Sequence, residues 1–346
     1  MGEWDIPPPA GRLPVGLVTG FLGSGKTTLV NHLLRQKEAA GTVVIVNELG
    51  EIGLDHDLVV TARENVTLLA SGCLCCSLRG DLQRTLTELY LLRVRGTIPA
   101  FTRVLVETTG LADPGPVMNT LMLDDLVANY YRLDGVVATV DAAAGTGSLD
   151  RHREAVKQAA LADRLVLTKT DLADPAVTAA LSARLTVLNP GARVVTALHG
   201  AIDPALLFGL GLWDDARRAR LDAWLGEGAA DGDGHGDGHA HDDGIVTHAF
   251  TVDRPVERAA FEAWFELVAL LRGPDLLRLK GIVNVAGTPR PLVVHAVQHV
   301  LHPPVELDAW PGPDRRTRLV VIARGVPRGA IAATMDRLHG QSVPAL

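Results

Sequence analysis

Residues 13–27 read LPVGLVTGFLGSGKT, which is a short apolar run followed by a glycine-rich loop. Residues 20–27 match the pattern G-x-x-x-x-G-K-[ST], in which glycines let successive backbone N–H groups point toward phosphate oxygens. Both flanks agree with the pattern, because a predicted strand precedes the loop and a predicted helix begins near Lys26, whose dipole adds positive charge. We therefore predict a phosphate-binding loop.

The loop supplies most of the candidate nucleotide ligands. Lys26 would neutralise charge on the β- and γ-phosphates, and the Thr27 hydroxyl would bind Mg²⁺. The alternative is a glycine-rich turn that only packs a helix on a strand. The residues assigned to the nucleotide here are Gly20, Gly23, Ser24, Gly25, Lys26, Thr27 and Thr28.

Strand and helix patterns alternate along residues 13–210. Nearly continuous apolar runs, typical of strands buried on both faces, predict strands at 13–19, 42–47, 66–70, 103–107, 135–140, 164–167 and 193–196. Amphipathic stretches predict helices at 26–39, 81–95, 116–123, 151–160 and 175–188. This alternation indicates an α/β fold, with helices on both faces of a parallel sheet and ligands at the carboxyl ends of its strands.

The composition changes abruptly at residues 226–244, which are rich in Gly, Asp and His and have almost no apolar side chains to bury. Such a segment is typical of a flexible linker. We therefore predict a P-loop domain over 1–225, a linker over 226–244 and a smaller α+β domain over 245–346. The last has predicted strands at 247–253, 277–285, 291–299 and 318–323, predicted helices at 254–272 and 327–338, and a predicted core helix face of Phe261, Trp264 and Phe265.

Composition limits the classes of partner. The 346 residues include 33 Lys and Arg against 40 Asp and Glu, a net charge of −7 that disfavours nucleic acid. No apolar run approaches the ~20 residues needed to span a membrane, and residues 1–9 do not resemble a secretory signal. Only three cysteines are present, which fits a reducing cytoplasm.

Two further strand ends carry candidate ligands. The strand at 103–107 ends in Glu107, which is placed to hold Mg²⁺ or its water, and the backbone of Gly110 could approach the γ-phosphate. The strand at 164–167 is followed by TKTD at 168–171, where G-proteins usually have Asn-Lys-x-Asp. Asp171 would accept hydrogen bonds from guanine N1–H and its amino group, which adenine cannot offer.

The other two residues of that tetrapeptide have separate expected roles. The aliphatic stem of Lys169 could cover the base. Thr168 replaces the more usual Asn of the pattern.

All three cysteines fall within four residues, at Cys73, Cys75 and Cys76. They follow the predicted strand at 66–70, so we expect them in a loop at the same end of the sheet as the phosphate loop. Three thiolates can occupy three corners of a tetrahedron around Zn²⁺. The sequence does not exclude Co²⁺, Ni²⁺ or Cu⁺ as the bound metal. The fourth ligand would be water, Glu48, Glu51 or a group of another protein. Buried apolar cysteines, or a redox pair formed by the first and last thiols, are the alternatives.

The linker contains His235, His239 and His241 among aspartates. Such a tract either binds divalent metal weakly or is a polar linker with incidental histidines.

Taken together, these motifs resemble the CobW-type subfamily of the G3E P-loop GTPases. The resemblance rests on GFLGSGKTTLVNHLL at 20–34, NELGEIGLD at 47–55, CLCC at 73–76, ETTGLADP at 107–114 and TKTD at 168–171. It implies a cytoplasmic GTP hydrolase that binds Zn²⁺ or Co²⁺ through the C-x-C-C thiols and hands the metal to a client protein. By motif match, Glu107 and Thr27 serve Mg²⁺, and residues 168–171 read guanine. A nucleotide-dependent homodimer is a second expected partner.

Residues 47–57 join the phosphate-loop helix to the cysteine segment. We expect GTP and Mg²⁺ to order this segment and settle the metal site, and hydrolysis to release it. Two other classes stay open at this point. One is a P-loop ATPase or kinase with redox cysteines, and the other is a passive zinc store.

Overall fold

The computed structural model describes residues 11–46, 59–63, 66–69, 74–77, 82–210, 244–272, 275–298, 300–302 and 304–335. It divides into two compact units. Of the described residues, the P-loop unit holds those from 11 to 185 and from 194 to 210. The C-terminal unit holds those from 186 to 193 and from 244 to 335. Because residues 211–243 are not described, the predicted domain boundaries at 225 and 245 stay predictions.

The first sheet has the strand order β3-β4-β5-β2-β6-β1-β7-β8-β9. Its strands are β1 Leu13–Gly20, β2 Thr42–Val46, β3 Val59–Arg63, β4 Val66–Leu69, β5 Leu74–Ser77, β6 Arg103–Glu107, β7 Tyr131–Asp141, β8 Arg164–Thr168 and β9 Arg193–Ala197. The six neighbouring strands from β5 to β8 run parallel to one another. The predicted α/β fold with a parallel sheet is confirmed.

Helices connect these strands. They are α1 Lys26–Leu34, α2 Leu82–Val94, α3 Pro114–Leu123, α4 Asp125–Tyr130, α5 Gly145–Arg151, α6 Arg153–Leu161 and α7 Pro175–Leu188. Short 3₁₀ turns lie at Lys37–Ala39, Thr170–Leu172 and Pro204–Leu206. All five residues of β2 are buried, and Leu29 and Leu33 of α1 pack with Val44 in one core cluster. The sheet is therefore buried as its apolar strands predict.

The strand before the cysteines does not run in the direction that the sequence led us to expect. We had expected it to be parallel to β1, with the cysteines following at its carboxyl end. β4 runs antiparallel to both β3 and β5, so its carboxyl end lies at the opposite edge of the sheet from Gly20. Cys75 and Cys76 belong to β5, a strand that we had expected to be a loop. Apolar periodicity shows that a run is a strand but not whether the chain then crosses over or turns back, so a hairpin was read as a crossover.

Helix boundaries also differ. The helix predicted at 151–160 is α6, which begins two residues later, and α5 just before it was not predicted; the two helices are separated by His152 in extended backbone. α3 begins two residues earlier than predicted because Asp113 caps it, accepting a hydrogen bond from the Gly115 N–H at 2.9 Å, and Pro114 fits its first turn.

The C-terminal unit contains an antiparallel sheet of order β10-β15-β11-β12-β13, with β14 paired to β12. Its elements are β10 Ile245–Val252, α8 Arg258–Arg272, β11 Leu276–Val283, β12 Leu292–Val297, β13 Val300–Leu301, β14 Val305–Glu306, β15 Thr317–Arg324 and α9 Arg328–Met335. Phe261, Trp264 and Phe265 of α8 are fully buried in its core, as predicted. In the part of the chain that the structure describes, no helix has the length and apolar character required to cross a membrane.

Candidate functional site

The phosphate loop lies between the end of β1 and the start of α1. Gly20, Gly23 and Gly25 have φ angles of 139°, 70° and 91°, which side-chain-bearing residues rarely adopt. Space is also limiting at Gly20, where a Cβ atom would press on the Thr139 carbonyl and lie 2.7 Å from Ser24 Oγ. These glycines therefore allow the tight curl that a phosphate-binding loop needs.

Two polar side chains of the loop are fixed by hydrogen bonds to other groups of the protein. Lys26 is buried, and its Nζ donates to the carbonyl oxygens of Gly20 at 3.0 Å and Phe21 at 3.3 Å. The Ser24 hydroxyl is 2.7 Å from the Thr139 hydroxyl at the end of β7. The Lys26 ammonium is thus fixed against the loop, where it can face phosphate charge. Thr28, the next candidate along α1, is exposed.

A threonine and a carboxylate meet beside this loop. The Thr27 hydroxyl donates to Glu107 Oε1 at 2.6 Å, and Glu107 is only 1% exposed. β6 pairs with β1 so that Glu107 lies opposite Val18, which explains why the end of one strand reaches the start of α1. Hydroxyl and carboxylate oxygens are the hard donors that Mg²⁺ prefers, so the residues present fit this ion.

The loop after Glu107 packs on the phosphate loop. Thr108 donates its side-chain hydroxyl to that of Thr19 at 2.9 Å. Gly110 is buried, and a Cβ atom there would lie 2.7 Å from the Leu22 backbone. Glycine is required at this position because the two backbones approach each other so closely.

The tetrapeptide TKTD follows β8 as predicted. The Thr168 hydroxyl donates to the Ser24 carbonyl at 2.8 Å, so this residue ties the predicted base loop to the phosphate loop. Lys169 has a φ angle of 54°, and its Nζ donates to Asp141 Oδ2 at 2.8 Å. Asp171 lies on the exposed turn that follows.

Asp141 and His199 are two neighbours of this loop that the sequence analysis missed. Burial raises the pKa of Asp141, but the hydrogen bonds from Lys169 and from the Ala144 and Ala143 amides outweigh it, so the net pKa is lowered. His199 follows β9, and its Nε2 is 3.9 Å from Asp171 Oδ2. The signal that could have identified Asp141 is an aspartate directly after an apolar strand in a sheet of this class.

The cysteines can be placed only by strand register. Cys73 lies outside the described residues, while Cys75 pairs with Val44 and Cys76 with Ile45 of β2. Ser77, the next residue, is in one row with Val46 and Glu107 across β2 and β6. Two strand spacings of ~4.8 Å separate β5 from β6, so backbone positions near Cys76 lie about 10 Å from that of Glu107.

The other predicted metal and switch residues cannot be located. Glu48, Glu51, the segment 47–57 and the histidines at 235, 239 and 241 lie outside the described residues. Within the described ranges, no three His, Cys, Asp or Glu side chains converge as a metal site would require.

The fold and this site define a P-loop nucleotide-binding protein. Residues 14–196 match the family model "CobW/HypB/UreG, nucleotide-binding domain", and residues 245–339 match "Cobalamin synthesis protein cobW C-terminal domain". The chain belongs to the CobW/HypB/UreG family, so the predicted family membership is confirmed.

Characterised relatives resemble nearly the whole chain. The zinc chaperone YjiA of Escherichia coli is 34% identical over 291 residues, which are 83% of this chain and 87% of the relative. The zinc chaperone CobW of Pseudomonas aeruginosa is 33% identical over an alignment of 370 positions, which covers 93% of this chain and 90% of the relative. The crystal structure of Zn(II)-bound YjiA GTPase superimposes with a TM-score of 0.77 at 31% identity, over 95% of this chain and 99% of that one.

Proposed function

We propose that this chain is a cytoplasmic metallochaperone that hydrolyses GTP, binds Zn²⁺ at Cys73, Cys75 and Cys76, and transfers the metal to a client protein. The observation that carries the proposal is the strand row that joins Ser77 of the cysteine strand to Glu107 of the proposed magnesium site. Relatives named zinc chaperones and a Zn(II)-bound GTPase support it.

The nucleotide half of the proposal uses the phosphate loop. Its backbone N–H groups and Lys26 bind the phosphates, and the Thr27 hydroxyl and Glu107 hold Mg²⁺. The ion, when bound, neutralises charge on the phosphate oxygens. Glu107 is buried and accepts from Thr27, so it keeps the threonine hydroxyl oriented toward the site.

The base is proposed to be guanine. Asp171 would accept from guanine N1–H and the amino group, while Lys169 would lie along the base. The hydrogen bond from Lys169 to Asp141 fixes the Lys169 side chain beside the proposed base position. Gly110 would contact the γ-phosphate through its backbone, since its loop packs on Leu22 of the phosphate loop.

The metal half treats Zn²⁺ as cargo. A set of three thiolates without a fourth cysteine in the chain is suited to release, because structural zinc sites are closed by four ligands. Co²⁺ is the alternative cargo, since the donor chemistry does not separate the two ions. A reducing compartment would keep these thiols available.

We propose a second copy of the chain as a further partner when nucleotide is bound. Leu22 and Leu111 are 58% and 55% exposed, although they belong to the two loops that meet beside the phosphate site. Two exposed leucines at a ligand site support a protein surface that is covered in one nucleotide state.

The central test compares Zn²⁺ affinity with a GTP analogue, with GDP and without nucleotide. We expect tightest binding in one nucleotide state, and the same factor must appear when nucleotide affinity is measured with and without Zn²⁺. Equal Zn²⁺ affinity in all three states would contradict the coupling. Elemental analysis of the purified protein in each state would identify the metal.

Matched variants separate the two halves. Cys75→Ser should lose tight Zn²⁺ binding and retain nucleotide, whereas Ser77→Ala on the same strand should retain both. Lys26→Ala should lose nucleotide binding or hydrolysis. ATP displacing GTP equally well would favour the ATPase or kinase reading, and loss of function on deletion of 231–243 would favour a passive zinc store.

A further inference from the structure

The side chain of Gln158 joins helix α6 to the Gly110 loop. Its Nε2 donates to the Gly110 carbonyl at 3.1 Å and to the Ala112 carbonyl at 3.0 Å. Gln158 is only 1% exposed. One amide therefore holds two carbonyl groups on either side of Leu111.

The orientation of this amide is fixed by its partners. A glutamine oxygen facing two carbonyl oxygens would be repelled, so the NH₂ group must point toward Gly110 and Ala112. Gln158 Oε1 is buried and has no hydrogen-bond partner among the residues that the structure describes. Gln158 also lines a small cavity together with Gly20, Phe21 and Ser24 of the phosphate loop.

Two other contacts bring the same helix to the same loops. Lys157 pairs with Asp113, just beyond the Gly110 loop. His152, which precedes α6, stacks on Phe21 of the phosphate loop with ring centroids 4.4 Å apart. α6 therefore contacts both loops that surround the proposed γ-phosphate position.

We propose that Gln158 is a positioning residue for γ-phosphate recognition, because it fixes the backbone of Gly110 against the phosphate loop. The inference rests on the proposed function, in which Gly110 contacts the γ-phosphate. Gln158 itself does not touch the nucleotide; it acts through the position of Gly110.

This role predicts that substitution of Gln158 changes the affinity for nucleoside triphosphate more than the affinity for diphosphate. GDP ends at the β-phosphate and needs the phosphate loop, whereas GTP also needs the Gly110 loop. Loss of the two hydrogen bonds should weaken binding of a GTP analogue and leave GDP binding unchanged. A merely structural role would weaken both nucleotides alike.

The test is the Gln158→Glu variant, whose carboxylate would face two carbonyl oxygens and repel them. We expect the ratio of GTP-analogue to GDP affinity to fall by about tenfold, the net effect of losing these two hydrogen bonds. We also expect kcat to fall, and GDP affinity to stay within about twofold of the parent. Calorimetric titration and steady-state GTP hydrolysis give these quantities.

Gln36→Glu is the matched control. Its Nε2 donates to the Ile202 carbonyl at 3.2 Å, so the same substitution breaks the same kind of bond elsewhere in the P-loop unit. This variant should leave the affinity ratio and kcat at parental values. If Gln158→Glu does not fold, Gln158→Met removes both donors without adding charge.

An unchanged affinity ratio in a folded Gln158 variant would overturn the inference, and so would an equal loss for both nucleotides. Gly110→Ala distinguishes this failure from that of the proposed function. A fall in the ratio for Gly110→Ala alone would overturn only the role of Gln158. An unchanged ratio in both variants would also overturn γ-phosphate sensing by Gly110.

Discussion

At the scale of single residues, Thr168 has a structural role that the TKTD motif alone does not predict. Its hydroxyl donates to the Ser24 carbonyl at 2.8 Å and to the Val140 carbonyl at 3.3 Å. A short side chain with one donor is sufficient for these contacts, since both acceptors lie close to the end of β8. Threonine therefore supplies the contact to the phosphate loop at the position where G-proteins usually have asparagine.

Asp171→Asn tests the proposed base recognition. Replacing the carboxylate removes a charged acceptor for guanine N1–H and the amino group, so the preference for GTP over ATP should fall by about ten- to a hundredfold. Competition of the two nucleotides for a fluorescent analogue measures this preference.

Asp174→Asn is the control for that experiment. Asp174 is exposed and caps α7 by accepting from the Ala176 N–H at 2.7 Å, a bond that asparagine can also accept. Base preference should be parental in this variant. Unchanged selectivity in Asp171→Asn would contradict the assignment.

The residues predicted from sequence are those whose contacts are local or fixed by a motif. Lys26 and Thr27 follow from the loop pattern, and Glu107 follows from a strand end. Asp141 and Gln158 were missed because their roles come from packing between segments distant in sequence, which no spacing encodes.

At the scale of elements, the alternation of strands and helices was sufficient to predict the parallel sheet. It failed at β4 and β5, because a hairpin inserted between two crossovers has the same apolar runs. It also missed α5, which ends one extended residue, His152, before α6 begins. His152 stacks on Phe21, a contact between segments distant in sequence that helical periodicity does not report.

Strand β12 carries a histidine whose titration affects stability. The rings of His295 and His302 stack with centroids 4.4 Å apart, and Lys280 lies opposite His295 in the ladder. Burial, followed by the charges of His302, Arg278 and Lys280, lowers the pKa of His295 well below 6.5. The folded protein therefore keeps this imidazole neutral.

Acid should destabilise the protein through this group. Below pH ~6.5 the unfolded chain binds a proton at His295 that the folded chain refuses, so the free energy of unfolding falls by up to about 1.4 kcal/mol per pH unit until the folded pKa is reached. His295→Gln should flatten the dependence of the denaturation midpoint on pH between 7.5 and 5.5. Parallel curves for His295→Gln and the parent would contradict the assignment.

At the scale of the whole molecule, the state of association tests the proposed homodimer. With a GTP analogue and Mg²⁺ the protein should sediment as a dimer, and Leu111→Asp should keep it monomeric because a charge would be buried in the contact. Val94→Asp, at another exposed apolar position, should dimerise like the parent. A parent that stays monomeric with every nucleotide would contradict the proposal.

β2 is hydrogen-bonded on one side to the strand of Cys75 and Cys76 and on the other to the strand of Glu107. A ladder of this kind cannot lengthen without breaking its hydrogen bonds, so we expect the spacing between the backbone of the cysteine strand and that of Glu107 to stay constant when ligands bind or leave. Any coupling between the proposed nucleotide and metal sites would therefore act through a change in strand twist or in neighbouring segments, and not through separation of these three strands.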